Sequence, residues 1–495
     1  MQRACWIILF IVWSMSANRL PAQNEYNSQQ SSVDTSDLEL CSKLYKNSII
    51  HYQQLARRLP PQFKWKPHLA SHQVIAIQHE ACGRPDTTVL FQKVLGLHSG
   101  KIGILLPLSR WPQPVRMAVM EQVQNLARSL GWDPEKSLVW LDTEGSRDRL
   151  DVQLAQLVFT HHVSVVIGGL TTQEAPHLAK WADHLRLPAI VLNRRFDELR
   201  SKYVFYMGPD LRLLSSTLTR HTLSRGMKRI AVLMPQNSRD GQLVQYFQEQ
   251  AQHLRITIEG PYLYNPADYA SIEEILRKLF RIDDPTRGQE QLELMTKMKE
   301  QAHAQGVPFD SSTVVLPPVI EIDGILIADH FKNVRHLAKA LTFYGVRKLP
   351  ILGIPKWRAF ELIDPPDDLL QGSVFVDYIG SYEKLPYKLK PPILQSEFFL
   401  SGSDAGEVDL QILVSHAYYA AQQVLRGPRI PRYGLNRKLL ETKQEGHPFF
   451  DTPRIFREDQ VSSWPSFLFG IQERNLQLMQ VLNPFSSEVR AQARP

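Results

Sequence analysis

Polar and charged residues gather in this chain directly after short apolar runs. Ser109 follows the run 101–107, Gly168, Gly169, Thr171 and Thr172 follow 163–167, and Asn193, Arg194 and Arg195 follow 189–192. Further on, Asn237 and Arg239 follow 229–235, Asp329 and His330 follow 324–328, and Trp357 follows 349–353. These residue types suit holding a molecule rather than cutting one. A glycine pair admits close backbone approach, threonine hydroxyls bond a carboxylate, and Arg194 can grip an anion with two parallel N–H groups. Asp329 can receive an ammonium group, and Trp357 offers a stacking wall. Each also has a plainer reading. Thr171, Thr172 and Asp329 are common helix N-caps, and a large aromatic such as Trp357 often closes a core.

No set of residues for bond chemistry accompanies them. His161-His162 lack the HExxH spacing of a zinc site, and neither G-x-S-x-G, a phosphate-binding G-x-x-x-x-G-K-[ST] nor a paired CxxC occurs. A dinucleotide fold needs G-x-G-x-x-G after its first strand, where this chain has Pro107-Leu108-Ser109. The expectation is a protein that is not an enzyme, with no cofactor and no metal site.

The elements that carry these residues read as α/β. From Gly100 onward, continuous apolar strands alternate with amphipathic helices, the pattern of parallel sheets covered on both faces. The grammar runs once from 101 to 192 and restarts at Arg229, so two doubly wound parallel-sheet lobes are expected, preceded by a short helical segment. In such sheets ligands sit beyond the strand C-terminal ends, which is where the polar residues fall. We place lobe 1 at 100–208 with a return helix at 407–427. Lobe 2 spans 209–380, interrupted by a charged, proline-flanked insertion, 281–321, that must project. Residues 428–495 supply closing strands, from Phe449-Phe450-Asp451, Ile455-Phe456 and Ser466–Ile471, and a tail.

The N-terminus points to export. A positive start, about ten apolar residues from Ala4 to Trp13 and small residues by Ala22 describe a signal peptide over 1–22; a bilayer span needs about 20 apolar residues. An uncleaved anchor is the alternative. Residues 23–99 hold a Ser/Asn/Gln-rich lead-in and then the helical segment, with Cys41 and Cys82. In an oxidising compartment the two cysteines can pair, closing a loop of roughly 40 residues worth about 3–4 kcal/mol; two buried thiols are the other reading. The formal charge of +7 is a mild excess spread through mixed-sign segments, which does not argue for nucleic acid. With 43% apolar residues the chain can fill more than one core.

Several stretches carry a resemblance: 101–109, Val165-Val166-Ile167-Gly168-Gly169, Leu187-Pro188-Ala189-Ile190, 316–329, Leu352-Gly353-Ile354-Pro355-Lys356-Trp357 and Val374-Phe375-Val376-Asp377-Tyr378. On these residues the chain resembles type I periplasmic-binding-fold proteins. Within them it is similar to bacterial penicillin-binding protein activators of the outer-membrane lipoprotein type, and more distantly to branched-chain amino-acid-binding receptors. The resemblance implies a Gram-negative periplasmic protein that regulates peptidoglycan synthesis through contact with a peptidoglycan synthase. The alternative is a receptor for an amino acid or small anion that feeds a transporter or sensor.

Overall fold

The computed structural model describes residues 99–159, 161–185, 187–196, 201–238, 240–311, 314–358, 368–378, 405–427, 434–442, 454–472 and 475–484. The leader, Cys41, Cys82, Arg239 and Phe449–Asp451 lie outside the described residues.

Five strands form the first sheet: β1 (Ile102–Leu106), β2 (Leu138–Asp142), β3 (Val165–Gly168), β4 (Ala189–Val191) and β5 (Val204–Tyr206). All are parallel, in the order β2-β1-β3-β4-β5. Three helices alternate with them: α1 (Gln113–Ser129), α2 (Arg147–Phe159) and α3 (Glu174–Leu185). The two-residue strand period divides the core. Ile102, Ile104 and Leu106 face one cluster with Val119, Val123 and Leu126 of α1, while Leu105 and Val166 face another with Leu157 of α2 and Leu178 of α3. Gly103 permits that second layer to press close, since a Cβ there would lie 2.6 Å from Leu157 Cδ1.

The chain then crosses into a second body. Here α4 (Leu211–Ser224), capped by Asp210 on the N–H groups of Arg212 and Leu213, packs against α5 (Gly241–His253). The larger sheet contains β6 (Arg229–Pro235), β7 (Thr257–Tyr264), β8 (Gly324–Ile327), β9 (Ile351–Gly353), β10 (Val374–Asp377), β11 (Ser466–Gln472) and β12 (Asn475–Leu482). Its order is β12-β11-β10-β9-β8-β6-β7, so the parallel part, β7-β6-β8-β9-β10, repeats the arrangement of the first sheet. Helices α6 (Tyr269–Leu279), α7 (Gly288–Ala304) and α8 (Phe331–Phe343) complete its layers. Of these, α7 buries no side chain, as expected of a segment that a parallel sheet does not need.

Helix α9 (Ala405–Leu425) lies on α1, with α10 (Leu435–Glu441) against it. The stretch 454–464 returns to the first sheet. Tyr206 and Val461 form a parallel bridge, Ser462 N donates to Tyr206 O at 2.8 Å, and Trp464 Nε1 donates to Met207 O at 2.8 Å. The same strand then enters β11. Three chain crossings, after β5, between β10 and α9, and before β11, thus join the bodies, and Arg457 Nη1 to Asp210 Oδ2 (2.6 Å) clasps them.

The closing hairpin differs from expectation. Ser466–Gln472 pairs antiparallel with Asn475–Leu482, a strand the sequence reading did not name, whereas Phe456 makes only an isolated bridge to Ser462. The reason is local: a two-residue link after Gln472 brings the next strand back before any earlier segment can compete. Strand β5 and helix α4 were also unread.

Candidate ligand-binding site at the strand ends

In a sheet ordered 2-1-3-4-5, successive connections leave the first strand in opposite directions, and the loops after strands one and three part to form a crevice. In the larger sheet this position lies between β6 and β8, and a cavity of about 450 Å³ occupies it. Pro235, Gln236, Asn237 and Ser238 line it from β6, Asn265 and Pro266 from β7, Asp329 from β8 and Lys356 from β9. Asn237 and Asp329 are therefore brought together.

Asp329 is buried, and its carboxylate is tightly oriented. Tyr264 Oη donates to Oδ2 at 2.5 Å, Asn333 Nδ2 donates to the same oxygen at 2.8 Å, and the His330 N–H donates to Oδ1 at 2.6 Å. Burial, then the neighbouring Asp329 charge and hydrogen bond, push the Tyr264 phenol well above its ordinary range, so it remains a donor at physiological pH. The N-cap of α8 is His330, not Asp329, so capping does not consume the carboxylate. A carboxylate accepts about four hydrogen bonds, and three are in place. The cavity wall carries one carboxylate, Asp329, and one ammonium, Lys356, whose Nζ is paired with Asp240 Oδ2 at 2.7 Å.

Trp357 has a different position. Its ring is fully buried, 6.2 Å from Phe375, and packs so closely on Gly353 that a Cβ there would clash at 2.2 Å. The stacking-wall expectation is corrected: the indole closes the core, because the short turn after β9 folds it back over the strand.

The strand-end loops of the first sheet are largely bound to themselves. Thr171 and Glu174 form a reciprocal capping box: Thr171 Oγ1 donates to Glu174 Oε2 at 3.0 Å, and Glu174 N donates to Thr171 Oγ1 at 3.1 Å. The buried Glu174 also accepts from Thr143 Oγ1, tying the end of β2 to that of β3. Gly168 and Gly169 admit protein rather than ligand. A Cβ on Gly168 would lie 2.8 Å from Leu105 O, and Gly169, at φ 65°, would meet Ala175 Cα at 3.0 Å. Asn193 Nδ2 donates to Leu170 O at 2.6 Å, and its Oδ1 accepts from Arg194 N at 2.9 Å, so this side chain ties two loops together.

Three candidates there retain free capacity. Ser109 and Thr172 are exposed, with only the Ser109 N–H engaged, on Asp142 Oδ2 at 3.1 Å. Arg194 has a buried Nη1 without a hydrogen-bond partner, and its guanidinium lies 5.9 Å from the Phe196 ring. Sequence reasoning missed Tyr264, Asn265, Asn333 and Lys356. Lys356 was within reach, because it follows β9 as Asp329 follows β8; Tyr264 and Asn333 gain their roles only through tertiary contact. Among the described residues, no group of three His, Cys, Asp or Glu is placed to hold a metal ion.

No protein-family model and no curated protein matches the chain. Solved structures do. The chain is similar to an ABC transporter substrate-binding protein from Sphaerobacter thermophilus (TM-score 0.56, 13% identity, 78% of this chain and 98% of that one). It is similar to a leucine-binding protein from Thermotoga maritima (0.50, 15%, 78% and 99%). A third is the branched-chain amino acid transporter substrate-binding protein of Streptococcus pneumoniae, solved with isoleucine (0.51, 13%, 78% and 99%). These likenesses show the type I periplasmic binding protein fold.

Proposed function

We propose that this chain is an exported, non-enzymatic solute-binding protein that closes its two lobes on an amino-acid-like ligand. The observation that carries the proposal is Asp329: a buried carboxylate, aimed by Tyr264 and Asn333, with one acceptor position unfilled in a cavity at the strand-end crevice. An ammonium group fits that position. On the other lobe the unpaired Arg194 Nη1 and the exposed Ser109 and Thr172 suit a carboxylate. The solved neighbours, two of them named for branched-chain amino acids or leucine, support the same ligand class. The leader-like N-terminus supports export, and among the described residues no helix is long and apolar enough to cross a membrane.

The reading as a regulator of a peptidoglycan synthase rests on the sequence resemblance, with the unburied α7 as the surface such a partner would meet. The solved neighbours bear on the receptor and not on the regulator. Calorimetry against amino acids, small peptides and muropeptides separates them. The receptor predicts saturable binding of one solute that Asp329→Asn weakens by tenfold or more, since a hydrogen bond to a charged group is worth about 1.5–3 kcal/mol. Capture of a synthase with no response to any solute would reject it.

A further inference from the structure

The crevice cavity of the larger sheet is nearly all polar. Among the described residues that line its volume of about 450 Å³, only Pro235 and Pro266 are apolar, and none is aromatic or a Leu, Ile, Val or Met. Ligand pockets are ordinarily lined by aliphatic and aromatic side chains with a few polar groups set among them. In this cavity the proportion is reversed. Leu233 near the end of β6 and Ile327 at the end of β8 are fully buried in the core, which Trp357 closes, so the strands spend their apolar residues inside the lobe.

The groups on the wall have a definite chemistry. The amides of Gln236 and Asn237 stand exposed at it. Asn265 commits Oδ1 to the Ala267 N–H at 3.1 Å, which leaves its Nδ2 to donate. An amide covered by an aliphatic group gives up water without a replacement hydrogen bond, a loss of roughly tenfold in affinity for each. The charges are also allotted. Asp240 neutralises the Lys356 ammonium at 2.7 Å, so that cation calls for no carboxylate from a ligand. Among the described lining residues Asp329 is the only carboxylate, and one ammonium answers it.

We infer that the ligand is an amino acid with a neutral, hydrogen-bonding side chain: an amide or a hydroxyl, as in glutamine, asparagine, serine or threonine. This rests on the reading of Asp329 as the ammonium site. The side chain branches from the carbon that bears that ammonium, so it enters the same cavity and meets Gln236, Asn237 and Asn265. A ligand amide exchanges both donors and acceptors with these three, whereas leucine or isoleucine would strip them of water and return nothing. A glutamate side chain would set a second carboxylate near Asp329 with the one lining cation already paired. A lysine or arginine side chain would bring a second cation, for which Asp329 has no further acceptor position.

Calorimetry with matched pairs of amino acids tests this: threonine against valine, asparagine against leucine, glutamine against glutamate. Members of a pair are close in size and differ in polarity or charge. The wild-type chain is expected to bind its best amide- or hydroxyl-bearing amino acid about tenfold tighter, or more, than the matched partner, the worth of one or two hydrogen bonds left unmade. Asn237→Leu is expected to close most of that gap by weakening the polar member, while Asp329→Asn weakens both members alike. Should Asn237→Leu misfold, the wild-type ranking still decides. An aliphatic, acidic or basic amino acid as the tightest ligand, still weakened by Asp329→Asn, overturns this inference and leaves the receptor reading standing. A gap that a folded Asn237→Leu chain leaves unchanged also overturns it. No response to any amino acid overturns both.

Discussion

Glu174 shows how a strand-end loop can look like a ligand site and serve as a fastener. It is fully buried and accepts from Thr143 and Thr171, so one side chain fixes the rims of β2 and β3. Glu174→Ala leaves both hydroxyls without their acceptor and removes a helix cap. We expect a loss of about 2–3 kcal/mol, read as a lower urea midpoint with the slope unchanged. A change below about 0.5 kcal/mol would place Glu174 among ordinary surface residues instead. At this scale the sequence marked position well and employment poorly. Asn237 and Asp329 were found because polar residues after an apolar strand lie where crevices form. Whether Thr171 faced ligand or its own helix depended on Glu174 three residues on, and Trp357 on a turn that folds back over Gly353.

The elements were legible in proportion to the regularity of their apolar pattern. β1, β3 and β6 are nearly continuous apolar runs buried on both faces, and no other reading fits them. Helix α4 shows the opposite. Its buried side includes Ser215, Thr217, Thr219, His221 and Thr222, whose composition resembles a surface helix. Thr217, Thr219 and Thr222 each donate to the carbonyl four residues back, so the hydroxyls enter the core already satisfied. Helix α9 raises a related point. His416 is buried beside Trp464, ring centroids 4.7 Å apart, and burial pushes its imidazole down to about 3.

That depression has a defined sign. Between about pH 3 and His416's ordinary value near 6.5, the unfolded chain binds a proton that the folded chain refuses, so this group makes stability fall as pH falls through that window. The limiting slope is about 1.4 kcal/mol per pH unit, and above the window the group contributes no dependence. His416→Phe should flatten the urea-midpoint profile between about pH 4 and 6. An unchanged profile would mean that other groups govern acid unfolding.

At the scale of the molecule, two sheets of matching order are joined by three crossings, after β5, between β10 and α9 and before β11, and clasped by Arg457 and Asp210. Few connections and two separate sheets permit closure by hinge motion, in which a ligand held by both rims draws the lobes together. The doubling was legible because the βα pattern restarts at Arg229. The closing hairpin was less so, since Asn475–Leu482 alternates too weakly between leucine and glutamine to name its partner. The most direct measurement is backbone hydrogen exchange with and without the amino acid giving the largest thermal shift. The account predicts that protection rises together at 169–172 and 193–194 in one lobe and at 236–238 and 329–330 in the other. Protection confined to one lobe, or binding that leaves both rims unchanged, would contradict it.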